Sequence, residues 1–243
     1  MIASTAEIIR KKIGKMAPGA VFGYSRFNFG KSGEISLAKA LSRLAKEGAI
    51  VRIAKGKYYK PKNSLFGKLR PSEAAVVQAL TIRNDQRIGY LTGAVVYNKL
   101  GLTSQISNTL IIATNKPLPP KIFEGYKVKY VKRELDIKDQ DIPLLQILDA
   151  LRDLKSIPDT TANEALNILI DKIKTFSGGD QKRLTKIALN YNAGTRALVG
   201  AIFEQYIPPI SISRLSNSLN RLSSYEVGVS DSILPNKNNW NIK

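Results

Sequence analysis

Between Ile35 and Pro61 the sequence changes its hydrophobic period once, over a very short distance. Leu37, Leu41 and Leu44, with Ala40 and Ala45, recur at helical spacing from Ile35 to Glu47. Gly48 then stands where a left-handed C-terminal cap is wanted. Ile50-Val51-Arg52-Ile53 reads as a strand, Ala54-Lys55-Gly56 as a tight turn, and Lys57-Tyr58-Tyr59-Lys60 as the returning strand, stopped by Pro61. A helix that runs this directly into a hairpin leaves few arrangements, because both must bury their apolar sides in one core. Upstream, Ser4-Thr5-Ala6-Glu7 is a capping-box pattern, followed by Ile8, Ile9, Ile13 and Met16 at helical spacing. The aromatic-rich stretch from Val21 to Phe29 predicts a short second helix near Tyr24–Phe29. Three short helices and a two-stranded hairpin over 1–62 are the layout of a winged helix-turn-helix.

The third helix carries a second stripe. Lys39, Arg43 and Lys46, four and then three residues apart, lie opposite the leucines, with Ser36 and Ser42 nearby. On the hairpin, Arg52, Lys55, Lys57 and Lys60 add charge without a compensating acid. The imbalance is regional: residues 1–70 hold 16 Lys/Arg and 3 Asp/Glu, whereas residues 71–243 hold 22 and 16, within a chain of net charge +19. A field concentrated in this way attracts a polyanion by releasing its condensed counterions. A plain solvated helix face is the alternative, and the adjoining basic hairpin argues against it. Double-stranded DNA is the expected partner. Ser36, Lys39, Ser42, Arg43 and Lys46 are assigned to the groove and phosphates, and Arg52, Lys55 and Lys57 to the wing. Tyr58 and Tyr59 should alternate faces, one under the wing and the other available to a sugar, a phosphate or solvent.

The remaining sequence predicts a linker at 63–70 and a larger domain at 71–243, α/β to about residue 140 and helical afterwards. Pro71-Ser72-Glu73 opens a helix to about Ile82, and a second runs from Gly93 to Leu100. Thr109–Thr114 and Tyr126–Val131 read as strands. Apolar periodicity then marks helices around Leu144–Leu151, Ala165–Ile173, Leu184–Tyr191 and Ala197–Phe203, with a fifth expected from Ser211 to Leu222. Gly178-Gly179 reads as a turn, and the tail after Ser230 is expected to fray unless Trp240 docks. The fold class is therefore α+β: an N-terminal winged helix-turn-helix, then a mixed α/β domain running into a C-terminal helical bundle.

Several chemistries are disfavoured. With no histidine and no cysteine, the chain has no Ser-His or Cys-His nucleophile pair, no zinc finger and no disulfide framework. Asp139-Gln140-Asp141 has the spacing with which strand carboxylates hold Mg²⁺ in nucleotidyltransferases. The upstream Gly-Ser turn of that mechanism is missing, and acids are favoured in any case just before a helix. Gly178-Gly179 with Lys182 and Arg183 lacks the Walker spacing. No enzyme, metal or cofactor is expected. No apolar run is long enough for a membrane span or a signal peptide, so no membrane partner and a cytoplasmic location are expected.

Two stretches together carry a resemblance. Leu41-Ser42-Arg43-Leu44-Ala45-Lys46-Glu47-Gly48 followed by Ile50–Pro61 resembles the winged-helix N-terminal domain of the AbiEi family of type IV antitoxins. Thr92-Gly93-Ala94, Asn98–Gln105, the strand Leu110–Thr114 and Tyr126–Lys132 are similar to the domain that follows it, and Ala188–Tyr191 with Arg196–Ala201 to its late helices. The resemblance implies a winged helix that binds inverted repeats in its own promoter and represses the operon. It also implies a C-terminal part that neutralises a nucleotidyltransferase toxin in an abortive-infection, phage-defence system. The competing expectations are a stand-alone winged-helix regulator, a module that binds RNA or the toxin without autorepression, and a carboxylate enzyme built on Asp139 and Asp141.

Overall fold

The computed structural model describes residues 5–30, 33–54, 56–64, 67–83, 86–207 and 210–243; Ser4 of the capping-box pattern and Lys55 of the hairpin turn lie outside them. Its elements in chain order begin with α1 (Thr5–Gly14), β1 (Val21–Gly23), a 3-10 turn (Tyr24–Phe27), α2 (Glu34–Lys46), β2 (Val51–Ala54) and β3 (Lys57–Tyr59). Then come β4 (Asn63–Ser64), β5 (Gly67–Lys68), α3 (Glu73–Thr81), β6 (Ile82–Arg83), β7 (Gln86–Arg87), β8 (Gly89–Thr92), α4 (Ala94–Lys99) and β9 (Thr109–Thr114). β10 (Lys121–Phe123), β11 (Tyr126–Lys132), α5 (Ile142–Arg152), α6 (Ala162–Lys174), α7 (Gly178–Ala188), α8 (Ala193–Tyr206) and α9 (Ser213–Asn217) complete the mixed α and β chain. Among the described residues no helix is long and apolar enough to cross a membrane. Two compact units are present, one of residues 1–89 with 118–129, the other of residues 90–117 with 130–243.

The first unit is built on a three-stranded sheet of order β1-β3-β2. The hairpin expected at 50–60 supplies two strands, and β1 pairs antiparallel with the other edge of β3, Val21 opposite Tyr59 and Phe22 opposite Tyr58. Three residues ending in Gly23 are too short to display a period of two, so β1 is not visible in the sequence pattern. Tyr58 enters one core with Ile9, Ile13, Phe22, Phe27, Leu37, Leu41 and Leu44 from α1, the 3-10 turn and α2. Tyr59 enters a second core on the opposite face with Ile53 and Ala79, against which Val21, Val51 and Phe123 pack. Its hydroxyl donates to Leu69 O at 3.0 Å. The alternation of the two tyrosines is as expected, but neither is left at the surface, because α3 covers the face that the hairpin alone would leave open.

That covering places the division of the chain elsewhere than the expected linker. Residues 63–70 contain the antiparallel pair β4–β5, and α3 belongs with the sheet it covers. Polarity suggested a tether, but the need to bury the second sheet face decides otherwise. Two local devices set the entry and exit of the hairpin. Gly48 adopts φ +73°, which a side chain would strain, and Lys60 donates to Gly14 O and Met16 O, each at 2.8 Å, capping α1.

In the second unit, α5 packs against α6, α7 and α8, with Leu144, Leu148, Leu166, Leu169, Leu184, Leu198 and Ile202 at 0–1% exposure. Thr161 and Glu164 form a reciprocal capping box on α6. Gly178 and Gly179, expected as a turn, are the first residues of α7, because Ser177 caps the helix by accepting from Asp180 N at 3.1 Å. The helix expected from Ser211 to Leu222 is confined to Ser213–Asn217. The tail is docked rather than frayed. Leu234, Trp240 and Ile242 are buried, and the Trp240 indole N–H donates to Glu204 Oε2 at 2.9 Å.

The ring of Trp240 lies directly on Gly200 of α8, where an added Cβ would stand 2.0 Å from the indole. Gly200→Ala is therefore expected to cost about 1–3 kcal/mol by overpacking. It should lower the urea midpoint and make the single tryptophan's fluorescence solvent-exposed at lower denaturant. An unchanged midpoint would show that the tail is not held there.

Candidate nucleic-acid interface

α2 displays two opposed faces. Leu37, Ala40, Leu41 and Leu44 are buried, while Ile35, Ser36, Lys39, Ser42, Arg43 and Lys46 are all exposed on the far side. At about 100° per residue, Lys39, Arg43 and Lys46 fall within roughly 60° of one another. None of the three forms an ion pair or a hydrogen bond with an acid among the described residues. The nearest acid in sequence, Glu47, is held by Arg10 of α1 at 2.5 Å. Ile35, 71% exposed, is the apolar member of the same face.

The hairpin contributes less than its sequence suggests. Arg52 is exposed and stands opposite Tyr58 in the β2–β3 register. Lys57 is half-buried, and its ammonium donates to Ala79 O near the end of α3 at 3.0 Å. Lys60 is occupied at the end of α1. Lys55 lies outside the described residues. Of the eight residues assigned to DNA, the structure brings Ser36, Lys39, Ser42, Arg43 and Lys46 onto one open surface, leaves Arg52 exposed on β2 and turns Lys57 toward α3. A lysine's spacing reports its charge, not the carbonyl its flexible stem will reach.

Asp139 and Asp141 do not sit on a strand. They occupy a 3-10 turn ahead of α5, and the Asp141 carboxylate accepts from Arg183 Nε at 3.0 Å. The main polar centre of the second unit lies elsewhere and has no motif in the sequence. Asp149 of α5 is 0% exposed. One of its carboxylate oxygens accepts from Tyr90 at 2.8 Å and Thr92 at 2.6 Å. The other accepts from Arg152 at 2.8 Å, Tyr191 at 3.2 Å and Arg133 at 3.3 Å. Asp153 beside it takes two 2.7 Å bonds from Arg152 and one of 2.6 Å from Tyr97. Burial pushes the Asp149 carboxyl up to about 6, against the opposing pull of the Thr92, Tyr90 and Tyr191 hydroxyls. The partners lie up to 59 residues from Asp149 in sequence, so only folding assembles them. The centre ties β8, α4, α5 and the segment after α7 together.

A model of the DUF6088 family, described as a family of unknown function, matches residues 8–176. The match takes in the whole exposed face of α2 and Asp149, and stops before Tyr191. No curated protein and no solved structure matches the chain.

Replacing Asp149 by Ala leaves three hydroxyls and two guanidinium groups without their buried acceptor, with an expected loss of about 3–5 kcal/mol in chemical denaturation. The pH dependence follows from the sign of the shift. The folded carboxyl binds its proton more tightly than the unfolded one, which titrates near ~3.9. Its contribution to stability is thus complete below pH ~4 and is lost as pH rises through about 6. The stability difference between wild type and Asp149→Asn should fall by on the order of 2 kcal/mol between pH 4 and 7. A difference independent of pH would show that the carboxyl does not titrate in that window.

Proposed function

The chain belongs to the DUF6088 family, and we propose, on its own residues, that it is a duplex-DNA-binding protein whose first unit is a winged helix, and that it acts as the antitoxin and autorepressor of a type IV toxin–antitoxin operon. The observation that carries the DNA reading is the exposed stripe of Lys39, Arg43 and Lys46, which no acid among the described residues neutralises. Such a helix has the width to enter a major groove, where its basic side chains meet phosphates and guanine edges. Ile35 on the same face is suited to the methyl group of thymine. In this reading Ser36 and Ser42 supply hydroxyls for phosphate oxygens, and the exposed Arg52 is assigned to the neighbouring backbone. Lys57, drawn to α3, has a smaller share than its position in the hairpin suggests.

The antitoxin half of the proposal is supported by the resemblance of residues 41–61 and 92–132 to the AbiEi family. In that reading a nucleotidyltransferase toxin is the partner and supplies the catalytic residues, while this chain supplies recognition. The stand-alone regulator and the RNA- or toxin-binding module remain its competitors, and competition between promoter duplex, random duplex and structured RNA at fixed salt separates them.

Lys39→Glu/Arg43→Glu is expected to abolish the electrophoretic shift of promoter DNA while leaving the circular dichroism spectrum unchanged. Normal binding by that variant would remove the assignment. Neutralising Lys46 alone should weaken binding to all sequences and lower the salt slope by about one unit. Where Arg43 reads a guanine, its loss should cost ~1–3 kcal/mol and relax preference at one position. In cells that carry the adjacent toxin gene, the double variant should derepress the operon and still rescue growth. Loss of rescue would show that the two activities are not separable.

A further inference from the structure

The first unit has a second pair of basic side chains, Arg26 and Arg83, that no acid among the described residues neutralises. A groove of about 1220 Å³ opens between the 3-10 turn, the start of α2, the end of α3 and β6. Arg26 and Arg83 stand on it, both exposed. Neither forms an ion pair or a hydrogen bond with an acid among the described residues. Half-buried Tyr24 and Phe29, which also pack against the core of the unit, line the same groove, together with the Glu34 carboxylate and Lys57, whose ammonium donates to Ala79 O. The groove is distinct from the basic stripe of α2. Leu37, which also lines it, belongs to the helix face turned away from Lys39, Arg43 and Lys46.

We propose that this groove binds a nucleoside phosphate. Three chemistries meet here that a bare anion site does not need. Two planar guanidinium forks, supplied by separate elements, suit the paired oxygens of a phosphate chain. Aromatic walls suit the flat face of a base and give no advantage to inorganic phosphate. Glu34 accepts hydrogen bonds from ribose hydroxyls or a base amino group, and it repels a ligand that carries only negative charge. The ligand is a free nucleotide and the site does not depend on duplex binding by α2.

The experiment is calorimetric titration of the full chain with ADP, adenosine, ribose 5-phosphate, pyrophosphate and an eight-nucleotide single strand. Saturable ADP binding is expected, with adenosine, ribose 5-phosphate and pyrophosphate each at least tenfold weaker. Arg26→Glu/Arg83→Glu should weaken ADP at least tenfold with an unchanged circular dichroism spectrum, and Phe29→Leu should weaken it without altering the residual affinity for pyrophosphate. Lys39→Glu/Arg43→Glu should bind ADP like wild type. Absence of binding at millimolar ADP overturns the proposal. So does pyrophosphate as tight as ADP, which would leave an anion patch, or loss of ADP binding in the α2 variant, which would return the ligand to the stripe. A single strand binding more than tenfold tighter than ADP would assign the groove to polynucleotide and overturn the free-nucleotide reading.

Discussion

The architecture of the first unit depends on a small sheet that has no solvent face. Tyr58 and Tyr59 are neighbours in β3, and the pleat sends them to opposite sides, so each anchors a separate core. With α1 and α2 packed on one face and α3 on the other, the hairpin cannot tilt without opening apolar surface on both sides. This fixes α2 in rotation about its own axis: Leu37, Leu41 and Leu44 must face Tyr58, and the basic residues on the reverse side are thereby aimed outward. The candidate interface is a consequence of the packing beneath it.

The same packing sorts the lysines and arginines by what they can reach. Lys60 satisfies the last carbonyls of α1, Lys57 reaches a carbonyl near the end of α3, and Arg10 neutralises Glu47 at the end of α2. Those three belong to the framework. What remains, Lys39, Arg43 and Lys46 on α2 and Arg26 and Arg83 at the groove beside its start, is positive charge that no acid among the described residues pairs. It forms two separate surfaces because Lys39, Arg43 and Lys46 share one face of α2, whereas Arg26 stands on the 3-10 turn and Arg83 on β6.

The second unit solves a different problem. Its helices carry ample apolar surface, and a buried carboxylate at their centre, Asp149, has five donors converging on it. A buried carboxylate is costly to desolvate and tolerable only when saturated with hydrogen bonds. Its partners come from segments far apart in the chain, so the centre penalises any packing that leaves one of them out. At the other end of this unit, Glu204 of α8 takes the indole N–H of Trp240, and the missing side chain of Gly200 makes room for the ring.

The long periodic elements are readable from residue order alone, because a helix that buries one side leaves a repeat of 3.6 residues that no neighbour can erase. α1, α2, the β2–β3 hairpin, β9, β11 and the helices from α5 to α8 were legible for that reason. So was the outward stripe of Lys39, Arg43 and Lys46, the complement of a buried leucine stripe. The other features emerge from contacts between elements. The strand β1 is too short to carry a period, and α3 joins the first unit because an open sheet face needs a cover. Lys57 was withdrawn from the surface by a carbonyl 22 residues away, and the Asp149 centre and the Arg26–Arg83 groove were assembled from segments whose separation in sequence hides them. Local pattern records which side of an element is buried; which element buries it is settled by contacts that one-dimensional spacing cannot encode.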